Sequence, residues 1–239
     1  MDTDTAGVSR RKKMHRYGKV ELVLALDVDT FQQARHFIDR LYPQIKTFKV
    51  GAQLFITEGP RVIDYLRQKG AGVFLDLKFH DIPNTIACAV RRAVGLKVKM
   101  LTLHICGGKE MLEKAVEAAS AEAKRIKVKP PLLLGVTVLT SQKSTKAEVL
   151  KRAKMGLACG LDGVVCSAWE IRLLRKNLGN KFVIVTPGIR PKGADITDQL
   201  RVATVEEAAR SGSNFLVVGR PILQAGDPLS VARELGRSL

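Results

Sequence analysis

Residues 73–85 read Val73-Phe74-Leu75-Asp76-Leu77-Lys78-Phe79-His80-Asp81-Ile82-Pro83-Asn84-Thr85. A β-branched and aromatic run passes directly into charged residues, and Pro83 can then open a helix with its fixed φ. The segment is a strand, a short polar loop and a helix start. Alternation along the strand puts Asp76 and Lys78 on one side, leaving Leu75 and Leu77 to pack against helices on the other.

The same unit recurs outward in both directions. Apolar runs at 20–27, 46–50, 72–78, 99–104, 132–139, 163–167, 182–186 and 214–219 alternate with helical periodicity near 30–41, 55–69, 83–95, 108–125, 145–159, 168–177, 203–212 and 228–237. Strands apolar on both faces and separated by helices pair in parallel, because each crossover helix covers a sheet face. Eight such units in 239 residues predict an α/β fold of the closed (β/α)8 (TIM) barrel type, a parallel eight-stranded barrel. A doubly wound open sheet is the alternative, but the first strand runs into Asp27-Val28-Asp29-Thr30 where a dinucleotide fold would place a glycine-rich turn.

The expected organisation is a basic N-terminal tail over 1–18, carrying Arg10, Arg11, Lys12 and Lys13, followed by one catalytic barrel over 19–239. No apolar run has the length of a membrane span and no secretory leader is visible, which points to a cytoplasmic protein with no membrane partner. The scattered Cys88, Cys106, Cys159 and Cys166 fit a reducing compartment and suggest neither disulfides nor a thiolate zinc site. Forty Lys and Arg against 23 Asp and Glu give a net charge of +17, which suits nucleic acid, anionic membrane or phosphorylated ligands alike. With 5% aromatic residues and no stacking motif or basic recognition helix, a specific nucleic-acid partner is not expected.

Barrels of this kind carry their chemistry at the C-terminal ends of the strands. Those ends hold Asp27, Lys49, Asp76 with Lys78, His104, Thr140-Ser141, Pro187-Gly188-Ile189-Arg190 and Gly219-Arg220. Lys49, Asp76, Lys78 and Asp81 form an alternating set able to keep a lysine protonated beside a fixed negative charge. Gly219 and Arg220, at the last strand and opening the next helix, suit a phosphate, with Arg190 in the preceding loop as a second cation. His15, His36, His80 and His104 lack metal-pair spacing, and lysines interleave the acids, so no metal is expected.

Asp76-Leu77-Lys78-Phe79-His80-Asp81-Ile82-Pro83-Asn84-Thr85 resembles the signature of the orotidine 5'-phosphate decarboxylase family. The resemblance continues through Leu24-Ala25-Leu26-Asp27, Phe48-Lys49-Val50-Gly51, Leu139-Thr140-Ser141, Thr186-Pro187-Gly188-Ile189-Arg190, Asp198-Gln199-Leu200-Arg201 and Val218-Gly219-Arg220, covering roughly 20–230 in order. It implies a cofactor-free, homodimeric barrel that converts orotidine 5'-phosphate to UMP and CO2. Carried over by position, Lys78 is the proton donor, Asp76 the carboxylate beside the departing CO2, Lys49 the bridge to the ribose and Asp27 a ribose-hydroxyl ligand. Thr140 would read the pyrimidine edge, and Arg190, Gln199, Gly219 and Arg220 would hold the phosphate. Asp81 and Thr85 would reach the partner subunit's site, and residues 187–199 would form a lid. The D-x-K-x-x-D core alone is shared with metal-dependent sugar-phosphate lyases and synthases, which an EDTA-sensitive activity would reveal. A basic RNA-associated protein on the same barrel would instead show salt-dependent RNA binding and no turnover.

Overall fold

The computed structural model describes residues 20–190 and 203–239, so the tail over 1–18 and the segment holding Gln199 lie outside the described residues. Strands β1 (Glu21–Ala25), β2 (Thr47–Gly51), β3 (Gly72–Phe79), β4 (Met100–His104), β5 (Leu132–Val136), β6 (Gly163–Val165), β7 (Val183–Thr186) and β8 (Phe215–Val218) pair in parallel, each with the next. β8 returns to β1 through Leu22↔Leu216 and Leu24↔Val218, closing the barrel.

Around it lie α1 (Phe31–Leu41), α2 (Ala52–Glu58), α3 (Pro60–Gln68), α4 (Pro83–Gly95) and α5 (Lys109–Arg125). The second half adds α6 (Lys146–Ala158), α7 (Ile171–Leu178), α8 (Val205–Ser211), α9 (Arg220–Leu223) and α10 (Pro228–Arg237). Their starts are written locally. Thr30 caps α1, its hydroxyl accepting from Gln33 N while Gln33 Oε1 accepts from Thr30 N, and Pro83 takes the first position of α4.

Alternation along the strands builds two apolar layers. Val23, Ala25, Phe74, Met100, Val183 and Val185 fill the barrel interior. Leu22, Leu24, Val73, Leu75, Leu101 and Leu103 face outward and bury against the helices. The N-terminal end of the barrel is plugged by polar groups. Lys99 Nζ reaches both Glu21 carboxylate oxygens at 3.0 and 2.8 Å and Thr47 Oγ at 2.8 Å, over the Phe215 ring. The plug directs the open mouth to the opposite, C-terminal end.

Several boundaries differ from the sequence expectation. The single helix expected over 55–69 is two, because Gly59 adopts φ 55, ψ −139 and Pro60 starts α3 afresh without an N–H to continue α2. The helix expected over 168–177 opens as a 3-10 turn, Ala168–Glu170, before α7. Strands expected to reach 27, 139 and 167 leave the ladder at Ala25, Val136 and Val165, freeing the residues beyond for the loops of the mouth. Among the described residues, no helix is long and apolar enough to cross a membrane.

Candidate active site

A cavity of about 270 Å³ opens at the C-terminal end of the barrel. Its charged wall is Asp27, Lys49, Asp76 and Lys78, with Arg190 and Arg220 also lining it and Thr140 over another edge. Phe74, Val165, Val185 and Val217 form an apolar floor. Three elements deliver the charges: the loop after β1 carries Asp27, β2 carries Lys49, and β3 carries both Asp76 and Lys78.

These four side chains form a chain of alternating sign. Asp27 Oδ1 lies 3.0 Å from Lys49 Nζ, which lies 3.7 Å from Asp76 Oδ2, which lies 2.8 Å from Lys78 Nζ. Asp76 is 11% exposed against 53% for Asp27. Burial by itself would raise the Asp76 carboxyl, but the Lys49 and Lys78 charges and hydrogen bonds from Lys78 and Thr102 prevail and hold it below the ordinary carboxylate value. The site is therefore ready with a fixed anion and two ammonium groups in a partly desolvated wall, a setting in which electrostatic effects on a reacting centre are large.

The backbone at Lys78 is unusual. Lys78 has φ 50, a left-handed conformation uncommon for a residue with a side chain. The β3–β4 register explains it. Leu75 faces Leu101 and Phe79 faces Leu103, so three residues of β3 stand opposite the single Thr102 of β4. Thr102, fully buried, fills the gap by accepting from Lys78 N at 2.9 Å and donating to Asp76 Oδ1 at 3.0 Å.

At the other end, Arg190 is 9% exposed and its backbone N–H bonds Ala203 O at 3.0 Å, while Arg220 opens α9 directly after Gly219. Gly188, between Pro187 and Arg190, has φ 78, which a side chain would strain. Of the expected phosphate ligands, Arg190, Gly219 and Arg220 line the cavity and Gln199 lies outside the described residues.

Asp81 and Thr85 do not join the other expected residues. Both are exposed at the start of α4, neither lines the cavity, and Asp81 Oδ1 accepts from Ile82 N at 2.6 Å. The four-member set expected from sequence is thus three members of one chain plus Asp27, with Asp81 apart. His104 ends β4 with its ring 5.6 Å from that of His80, and burial, then the His80, Lys78 and Arg152 charges, push it below the usual imidazole value. Among the described residues, no group of three His, Cys, Asp or Glu side chains is placed to share a metal ion.

The strand-end rule does not select Thr102, which lies in the middle of β4. The available signal was a polar residue on the Met100 face of an apolar strand, since Met100, Thr102 and His104 alternate with Leu101 and Leu103.

The sequence model of the "Orotidine 5'-phosphate decarboxylase / HUMPS family" matches residues 20–235. A protein of Glaesserella parasuis serovar 5 named orotidine 5'-phosphate decarboxylase is 44% identical over 230 residues, spanning 92% of this chain and 98% of its own. One of Hydrogenovibrio crunogenus with the same name is 45% identical over 230 residues, covering 92% and 95%. The crystal structure of orotidine 5'-phosphate decarboxylase from Lactobacillus acidophilus superposes with a TM-score of 0.81 at 35% identity, covering 92% of this chain and 99% of that one.

Proposed function

The chain belongs to the orotidine 5'-phosphate decarboxylase / HUMPS family, and from that membership we propose that it is a carboxy-lyase converting orotidine 5'-phosphate to UMP and CO2 in pyrimidine biosynthesis. The observation that carries the reading is the Lys49, Asp76, Lys78 cluster, with Lys78 Nζ 2.8 Å from Asp76, on the wall of a cavity that also presents Arg190 and Arg220.

The reaction breaks the bond between C6 of the pyrimidine and its carboxylate. CO2 leaves and the electron pair stays on C6, where the ring delocalises it poorly, so most of the barrier is the cost of developing negative charge. A fixed ammonium at C6 lowers that cost. Lys78 then gives its proton to C6, forming UMP, and regains one from solvent. This sequence needs no Schiff base, metal or organic cofactor. Asp76 aims Lys78, and its negative charge lies beside the carboxylate that departs.

The remaining residues divide the substrate between them. Asp27 binds a ribose hydroxyl, Lys49 links the charge chain to the ribose, and Thr140 reads the pyrimidine edge. Arg190, Gly219, Arg220 and Gln199 hold the phosphate, Arg220 being suited to a bidentate grip. Phosphate binding is far from C6, so its binding energy can be used to assemble the site. The active form is a cytoplasmic homodimer in which Asp81 and Thr85 enter the partner subunit's site. Their exposure outside their own cavity, flanking an Ile82 that is 66% exposed, supports that arrangement.

The test is the fall in orotidine 5'-phosphate absorbance with purified protein, with and without EDTA. Metal-independent turnover is expected. A folded protein that leaves the substrate unchanged would overturn the reading and move the search to metal-dependent sugar-phosphate chemistry, and turnover abolished by EDTA would overturn the cofactor-free mechanism.

A further inference from the structure

Thr102 lies beneath the charged wall, lines no part of the cavity, and bonds the Asp76 carboxylate and the backbone N–H of Lys78. Its hydroxyl has one proton and accepts through its lone pairs, and the geometry uses both capacities: the proton goes to Asp76 Oδ1 at 3.0 Å and a lone pair takes Lys78 N at 2.9 Å. Neither bond belongs to the regular ladder. Both exist because β3 carries extra residues between Leu75 and Phe79 that β4 does not match.

That mismatch has a cost and a use. Between the shifted registers the Lys78 N–H goes to a side-chain acceptor, the Thr102 hydroxyl, and a half-buried donor without a partner is unfavourable. The extra residues also force Lys78 to φ 50. In return the bulge turns the Lys78 side chain back toward Asp76, so that two residues of one strand, separated by only Leu77, close an ion pair at 2.8 Å. Strain held at a functional position persists only where its surroundings over-determine it. Thr102 is the surrounding group that contacts both ends of the strained segment.

We propose that Thr102 is a positioning residue of this reaction, its hydroxyl locking the β3 bulge so that the Lys78 ammonium and the Asp76 carboxylate are held in their reacting arrangement. The inference rests on the decarboxylase reading of the site and assigns a task to a residue that touches no substrate. The methyl group of Thr102 is dispensable for the task and the hydroxyl is not. Valine matches threonine in shape and lacks both bonds. Serine retains both and loses only the methyl.

The experiment compares wild type, Thr102→Val and Thr102→Ser in steady-state turnover of orotidine 5'-phosphate, with UMP binding measured by calorimetry. In T102V, kcat is expected to fall on the order of 100-fold, the size associated with a misplacement of about 1 Å at a reacting centre. KM and UMP affinity should stay within about threefold, since the bulge aims the proton donor and does not hold the phosphate. T102S should retain kcat within about threefold of wild type, in keeping with its retained hydroxyl. The acid limb of kcat in T102V should move toward neutral pH, because Asp76 loses a donor. Unchanged kcat in T102V would overturn the proposal, as would T102S failing as badly as T102V or UMP affinity collapsing in step with kcat. Should T102V not fold, Thr102→Ala against T102S makes the same comparison. A wild type that binds UMP but does not decarboxylate would instead defeat the decarboxylase reading. Crystal structures then decide the role of Thr102: a T102V protein keeping Lys78 at positive φ and in contact with Asp76 overturns it, and a relaxed β3 supports it.

Discussion

The Lys78 ammonium and the Asp76 carboxylate are held 2.8 Å apart although only Leu77 separates them in sequence. A regular strand puts such residues on one face but well apart along it, and the bulge opposite Thr102 brings them together. Removing the carboxylate while keeping the shape should therefore weaken the aim of Lys78 and take away the fixed negative charge beside it. Asp76→Asn is expected to lower kcat by at least about 100-fold, the range typical for loss of a preorganised electrostatic partner. Near wild-type kcat in this variant would show that Lys78 needs no counter-charge.

Asp76 also gives the fold a pH dependence with a definite sign. Its carboxyl lies below the ordinary carboxylate value in the folded protein, so the ionised form is favoured by folding. The resulting stabilisation is complete above the unfolded value of about 4 and is lost as pH falls through the depressed folded value. Urea unfolding of wild type and D76N at pH 7 and pH 3 should show the stability of wild type relative to the variant shrinking at the lower pH. A difference that is constant or grows on acidification would contradict the assignment.

Arg220 separates binding from assembly. If Arg220 holds the phosphate, far from C6, losing that partner should impair the closed, reactive state as well as affinity. Arg220→Ala is expected to lose on the order of 1,000-fold in kcat/KM, with part of the loss in kcat, as for interactions realised more fully in the transition state. A pure KM effect would mean that the phosphate serves only as an anchor.

The exposed Asp81 gives the dimer a direct test. If each site takes Lys78 from one subunit and Asp81 from the other, mixing inactive Asp81→Asn and Lys78→Ala proteins should regenerate activity. Random reassociation puts half the subunits into mixed dimers with one intact site each, so about a quarter of wild-type activity should return. No recovery, with dimer exchange verified, would place Asp81 in its own subunit's chemistry or outside the chemistry altogether.

At the far end of the barrel, Lys99 should matter for stability and not for turnover. Lys99→Met leaves the Glu21 carboxylate facing Thr47 without its cation. Both charged groups are about one-third exposed, which reduces the penalty from that of a fully buried pair to about 1–2 kcal/mol. In a chain of this size that is a fall of roughly 2–8 °C in Tm. An unchanged Tm, or kcat reduced alongside it, would contradict the separation of the two ends.

Much of this was legible because it is written locally. The eight apolar runs and the periodicity between them specify the barrel, and the barrel rule then selects Asp27, Lys49, Asp76, Lys78, Arg190 and Arg220 from among 63 charged residues that composition alone cannot rank. What escaped was set by contacts between distant segments. The positive φ of Lys78 and the task of Thr102 arise from a register mismatch between β3 and β4, which neither strand shows by itself. The break at Gly59-Pro60 was visible in composition, yet the helical period runs through it and outweighed the local signal. Asp81 fits the sequence spacing of the charged set but lies exposed just before α4 and does not line the cavity.

The central claim is that the Lys78 ammonium stabilises and then protonates C6, and the most direct measurement is turnover by Lys78→Ala beside its affinity for UMP. Decarboxylation should disappear while UMP still binds within about tenfold of wild type, since the phosphate and ribose contacts remain. A Lys78→Ala protein that still decarboxylates orotidine 5'-phosphate at a substantial fraction of the wild-type rate would show that the proton and the stabilising charge come from elsewhere.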